Sequence, residues 1–111
     1  MLRASEPGST LGDVFAVAAA RYADLGFPEE WRFHHQGGLT GYSGREAFAV
    51  PGDSTRIPGA AAVAWNPSIT GGGKSEDTAL VSADGVEVIS RTPDLPEWEF
   101  DGVVRPAIVV L

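Results

Sequence analysis

A chain of 111 residues with 43% hydrophobic content matches one small globular domain, residues 1–111, able to bury a single core but not two. Its formal charge of -7, from 8 basic against 15 acidic residues, excludes a nucleic-acid surface built on clustered Lys and Arg. The absence of cysteine excludes a disulfide scaffold and a thiolate metal centre and fits a reducing compartment, so the cytoplasm is the expected location.

The opening "MLRASEPGST" has no apolar core of a signal peptide, and no stretch approaches the roughly 18 apolar residues of a spanning helix. Neither export nor membrane insertion is expected. Thr10 followed three residues later by Asp13 forms a capping-box pattern with Asp in place of Glu. Leu11, Val14, Phe15, Ala18, Ala19, Tyr22 and Leu25 then recur at the spacing of one apolar helical stripe, and Gly26 with Pro28 stops it. A core-facing helix without catalytic residues is expected there.

Beyond residue 30 the helical period vanishes. "WRFHH", residues 31–35, alternates Trp31, Phe33 and His35 with Arg32 and His34, which predicts a short strand whose two histidines face opposite ways. Glycines at 37, 38, 41 and 44 predict a loop or bulged turn after it. "PGDSTRIPG", 51–59, is a second loop. Strands are predicted at 60–66, 76–82 and 86–90, the last two joined through Ala83-Asp84-Gly85 as a hairpin. The tail "VVRPAIVVL" reads as one more apolar strand broken at Pro106, which cannot donate to a ladder.

"HHQGGLTGYSGRE" and "AWNPSITGGGKSEDTALVSADGVEVIS" together resemble the second half of the pita-bread hydrolases, the group that holds methionine aminopeptidase, prolidase, aminopeptidase P and creatinase. The resemblance runs from the capped helix to the hairpin, and its most specific piece is "SEDTALVSADGVEVIS". It implies that Glu76 stands where the family has a metal-ligating carboxylate. His34 falls on a histidine near substrate. The metal-ligating histidine falls on Gly38, a further substrate-contacting histidine on Arg45, and the other second-half carboxylate on Asn66. Two aspartates that complete the family site belong to a first half this chain does not contain.

The family uses two divalent metal ions. Glu76 alone cannot offset their charge, an amide at Asn66 is a neutral, weak ligand, and Asp77 points away from its strand neighbour. No metal and no cofactor are therefore expected. A metal-free precedent exists in creatinase, and "GYSGREA" is similar to its Tyr-Gly-Arg-Glu-Ala stretch. On that footing His34 and Glu76 are the catalytic candidates: His34 shuttles a proton, and Glu76 orients it or holds a substrate cation. Arg45 and Asn66 are the substrate-binding candidates, Arg45 through its fork of donors toward a carboxylate.

Each residue also has an ordinary role. His34 and His35 can satisfy backbone carbonyls at a strand end. Arg45 with Glu46 can be a solvated turn pair, Glu76 with Asp77 an exposed acidic strand start, and Asn66 a turn initiator before Pro67. Trp65 is a core residue. "TGGGKS", 70–75, lacks the earlier glycine of a phosphate loop and precedes no helix, so it reads as a hairpin loop.

The fold class expected is α+β: half of a pita-bread fold, with one long helix packed on a curved, mainly antiparallel sheet. Half a barrel leaves an open edge and face, so a homodimer or a missing N-terminal half is the expected partner, beside a small-molecule or peptide substrate; no nucleic acid and no membrane partner is expected. Two functions stand open. One is an Xaa-Pro aminopeptidase-, prolidase- or creatinase-like hydrolase acting on a C–N bond. The other is an inactive pseudo-peptidase that binds a small amino-acid-like ligand.

Overall fold

The capping box written into Thr10 and Asp13 forms. In the computed structural model, which describes residues 1–110, the Thr10 hydroxyl accepts from the Asp13 amide at 3.0 Å, and the Asp13 carboxylate accepts from the Thr10 amide at 3.2 Å. Helix α1 spans Leu11–Asp24. Its first free amides do not go to water: Leu11 donates to the Thr55 carbonyl and Gly12 to that of Asp53. A Cβ at Gly12 would lie 2.7 Å from the Asp53 backbone, so glycine permits this docking of the 51–59 loop. Leu25 caps the other end, and Gly26 turns away with φ of 87°. The stripe is buried at Leu11, Val14, Phe15, Ala18 and Tyr22, whereas Leu25 lies beyond the helix and is exposed.

Among the described residues seven strands follow. β1 (Gly37–Thr40), β2 (Ala47–Phe48), β3 (Ala61–Trp65), β4 (Asp77–Ser82) and β5 (Gly85–Val88) form one antiparallel sheet in the order β2-β1-β3-β4-β5. β6 (Glu97–Phe100) and β7 (Val103–Pro106) form a separate hairpin. The predicted strands at 60–66, 76–82 and 86–90 correspond to β3, β4 and β5, and Ser82 pairs with Gly85 across a two-residue turn in which Gly85 has φ of 121°.

Alternation gives the sheet two unlike faces. Leu39, Val63, Trp65, Ala79, Val81 and Val88 join Leu11, Val14 and Phe15 of the helix in one core cluster. The opposite face carries Gly38, Phe48, Ala64, Thr78 and Leu80, with Phe48 and Leu80 half exposed.

Several expectations are corrected. Residues 31–35 do not form a strand. Glu30–Arg32 is a single 3-10 turn, because Arg32 and Phe33 donate to the carbonyls of Glu29 and Glu30 and Trp31 packs edge-on against Phe15 at 5.2 Å. The glycines at 37 and 38 do not break the sheet; they form β1. A Cβ at Gly37 would sit 2.0 Å from the Ala64 carbonyl oxygen and one at Gly38 1.9 Å from that of Ala47, so the strand closes this tightly only because both side chains are missing. The tail forms β7 as far as Pro106, and its partner β6 is the alternating run Glu97-Trp98-Glu99-Phe100, joined to it through Asp101-Gly102, a hairpin signal that the sequence expectations did not take up. Leu111, part of the predicted tail strand, lies outside the described residues.

The expected architecture, half of a pita-bread fold with one long helix on a curved sheet, is overturned. The chain is mostly antiparallel sheet, 30% strand against 18% helix. The helix stops after 14 residues at Leu25 and Gly26, while the glycine segment and residues 97–106 commit to strands. The broader α+β class remains compatible. No described helix is long and apolar enough to cross a membrane.

Candidate functional site

Asn66 and Glu76 each stand one residue beyond a strand, where β3 ends and β4 begins. Trp65 pairs with Asp77, so the same register sets Asn66 beside Glu76, and alternation turns both toward the face opposite the helix. The loop "GYSGRE" delivers the third residue. It is the β1–β2 turn, closed by a bond from the Thr40 hydroxyl to the Gly44 carbonyl at 2.9 Å and by the Ser43 amide donating to Glu46 Oε1 at 2.9 Å. Glu46 therefore shapes the loop. Arg45 is released to reach past β1 and β3, bringing Nη2 to 3.8 Å from Glu76 Oε1.

The electrostatics are those of an anion held by cations. Lys74 Nζ lies 2.9 Å from Glu76 Oε2. That hydrogen bond, more than any other influence, holds the Glu76 carboxyl below its ordinary value; partial burial opposes it, and the charges of Lys74, Arg45 and His35 add to it. A carboxylate that keeps its charge this readily is a weak proton acceptor. Two polar atoms at this site have no partner although buried: Arg45 Nε and Asn66 Oδ1.

His34 is engaged elsewhere. Its Nε2 lies 2.8 Å from the Ser68 carbonyl and its Nδ1 lies 3.1 Å from Gln36 Nε2. The neutral tautomer protonated at Nε2, assigned from these partners, satisfies both contacts. Gln36 is fully buried; its amide also donates to the His34 carbonyl at 2.9 Å, and its oxygen accepts from Tyr22 at 3.0 Å. Tyr22 in turn accepts from the Ser68 amide at 2.8 Å. His34 is thus a clamp between the helix and the 66–68 segment, with both ring nitrogens used. The imidazole bearing on Glu76 is that of His35, which stacks on Phe48 at 4.8 Å. The structure brings Arg45 to Glu76 and sets Asn66 beside Glu76, and no hydrogen bond or ion pair joins His34 to any of the three. Sequence reasoning gave His35 only a structural role and Lys74 none, and their bearing on Glu76 appears only in the folded chain.

Asp77 belongs to the other face. It is 4% exposed, with Oδ2 2.6 Å from Arg105 Nη2, and it accepts from Ser90 at 3.4 Å. A cleft of about 510 Å³ lies on that side, lined by Trp65, Phe100, Val103 and Arg105, and it does not include Arg45, Asn66 or Glu76.

A pair of divalent ions does not fit these residues. Gly38 has no space for an imidazole, Asn66 supplies a neutral amide, Asp77 points to the opposite face, and both oxygens of Glu76 already face cations. Among the described residues no group of three His, Cys, Asp or Glu side chains is arranged to hold a metal ion.

The arrangement defines a small α+β domain with a charged cluster of Arg45, Lys74 and Glu76 on the sheet face away from the helix. Among solved structures the chain is similar to the dipeptidase PepE from Mycobacterium ulcerans, with a TM-score of 0.66 and 26% identity over 83% of this chain. It spans 26% of the length of that dipeptidase. No protein-family model and no curated protein matches the chain.

Proposed function

We propose that this chain is a peptidase-like domain that binds a small amino-acid-like or peptide ligand, through its carboxylate, on the face carrying Arg45, Asn66 and Glu76, without hydrolysing it. The observation that carries this reading is the state of the Arg45 fork. A guanidinium grips a carboxylate side-on through Nε and Nη2. Arg91 does so with Glu97 in this chain, at 2.6 and 2.8 Å. Arg45 spends Nη1 on the Gly44 carbonyl at 2.6 Å and presents the same edge with Nε unpartnered and Nη2 no closer than 3.8 Å to a carboxylate. Asn66 Oδ1 is an acceptor for a ligand N–H. N-acetylglycine, which has both groups, is the simplest probe. Titration followed by the Arg45 Nε–H resonance is expected to saturate, and Arg45→Gln is expected to abolish the response; saturation that survives Arg45→Gln would sink the proposal.

A second reading, hydrolysis of a C–N bond with His34 as base, draws on the likeness to a dipeptidase. It requires His34 to leave Ser68 and Gln36. Release of amine from a dipeptide by purified protein, lost in His34→Gln, would establish it in place of the first. In either reading the open face is completed by a second copy or by a further half; light scattering across a concentration series distinguishes a dimer from a monomer.

A further inference from the structure

Glu76 sits where the ligand carboxylate of the preceding section would sit. Its Oε1 faces Arg45 Nη2 at 3.8 Å, too far for a hydrogen bond yet close enough to hold the space in front of the fork. Its other oxygen is tethered to Lys74 at 2.9 Å. The side chain is 51% exposed, on a residue outside any strand, and makes no hydrogen bond to Arg45. Arg45, by contrast, is 18% exposed and fixed by the Gly44 carbonyl. An exposed acid thus stands against an anchored, better-buried fork that it does not fill.

We infer that Glu76 is an internal competitor, an autoinhibitory carboxylate that an incoming ligand carboxylate displaces from Arg45. This rests on the reading that Arg45 is the carboxylate receptor. Charge makes the exchange workable. Arg45 and Lys74 face a single carboxylate, a local excess of one positive charge in a chain whose formal charge is -7. When Glu76 swings out it keeps Lys74, whose own side chain is 50% exposed and free to follow it, and the fork is left uncompensated for the ligand. Displacement also uncovers a route to Arg45 Nε, which is buried without a partner while the fork is shielded.

The inference reverses the sign that any other role for Glu76 predicts. A metal ligand, a catalytic acid or base, or a holder of a substrate cation loses function when its charge is removed. A competitor gains it.

The test compares N-acetylglycine binding to the wild-type chain, Glu76→Gln and Arg45→Gln by NMR titration, with thermal melts to confirm that each variant is folded. Glu76→Gln keeps the shape and removes the charge; it is expected to tighten binding about fivefold or more, as removing a like charge near 4 Å in a partly screened setting does. Lys74→Gln, which frees Glu76 to press on Arg45, is expected to weaken it. If the wild type binds and Arg45→Gln does not, but Glu76→Gln binds equally or more weakly, the competitor role is wrong and Arg45 still stands as receptor. If neither the wild type nor Glu76→Gln binds, or if Arg45→Gln binds as well as the wild type, the receptor reading fails and the competitor role with it.

Discussion

Asp77 and Arg105 meet at 2.6 Å across the joint between β4 and β7, and Arg105 also donates to Ser75 at 2.5 Å. This pair fastens the separate C-terminal hairpin to the main sheet through a carboxylate that is 4% exposed. Removing one member strands the other in an apolar cleft that includes Trp65, Phe100 and Val103. Asp77→Asn is expected to cost about 3 kcal/mol in urea unfolding, the low end for a broken buried pair because Arg105 keeps a quarter of its side chain in solvent. Hydrogen exchange should locate the loosening in 97–106, and an unchanged hairpin would contradict the fastening role.

Gly38→Ala is expected to prevent β2 from pairing with β1. The new methyl would meet the Ala47 carbonyl oxygen at 1.9 Å, and the obstacle is backbone, which cannot rotate away. A loss of at least about 3 kcal/mol, or failure to fold, follows from overpacking of this severity. Gly44→Ala is the control. Nothing lies within 4 Å of a Cβ there, so its cost should stay within about 0.5 kcal/mol.

Thr10→Ala removes half of the capping box and is expected to cost about 1 kcal/mol. Its effect is also pH-dependent. The Thr10 hydrogen bonds hold Asp13 below its ordinary value, so the ionised form is favoured in the folded state. A depressed carboxyl contributes stability that is present above its unfolded pKa and lost as pH falls through the folded one. Glu30, Glu76 and Glu97 are shifted the same way. Urea midpoints should therefore fall on the acid side of the ordinary carboxylate range. The gap between wild type and Thr10→Ala should be widest at neutral pH and narrow as Asp13 protonates.

The helix was legible because its cap, stripe and stop signals are local: Thr10, Asp13, Gly26 and the apolar repeat need no distant partner. So were β3, β4 and β5. The glycine segment was misread because Gly37 and Gly38 act through what they leave out, a clearance against Ala64 and Ala47 that exists only once β2 and β3 are in place. The strand predicted at 31–35 failed because alternation without pairing partners loses to local turn bonds. At the site, register places only Asn66 beside Glu76; the approach of Arg45 to Glu76 depends on how the 41–46 turn folds, which spacing does not fix. His34 is held by Ser68 and Gln36, which Tyr22 ties to the helix, a network spanning from helix to loop that spacing cannot show.

Asn66 should show stability and binding pulling apart. Its Oδ1 is buried without a donor, and an unsatisfied buried carbonyl costs about 1–3 kcal/mol relative to one that is paired. Asn66→Leu replaces the amide by an apolar group of similar size beside Ala64, so the folded state is expected to hold its stability or gain up to about 1 kcal/mol. The same change removes the acceptor assigned to a ligand N–H. N-acetylglycine should bind this variant more weakly, whereas N-acetylsarcosine, which has no N–H to give, should bind wild type and Asn66→Leu alike. Equal loss of affinity for both probes would mean that Asn66 acts by shaping the surface around Arg45. A fall in stability would mean that its amide is satisfied in solution. Only a gain or constancy in stability together with a loss confined to the N–H probe fits an acceptor kept unpaired for use.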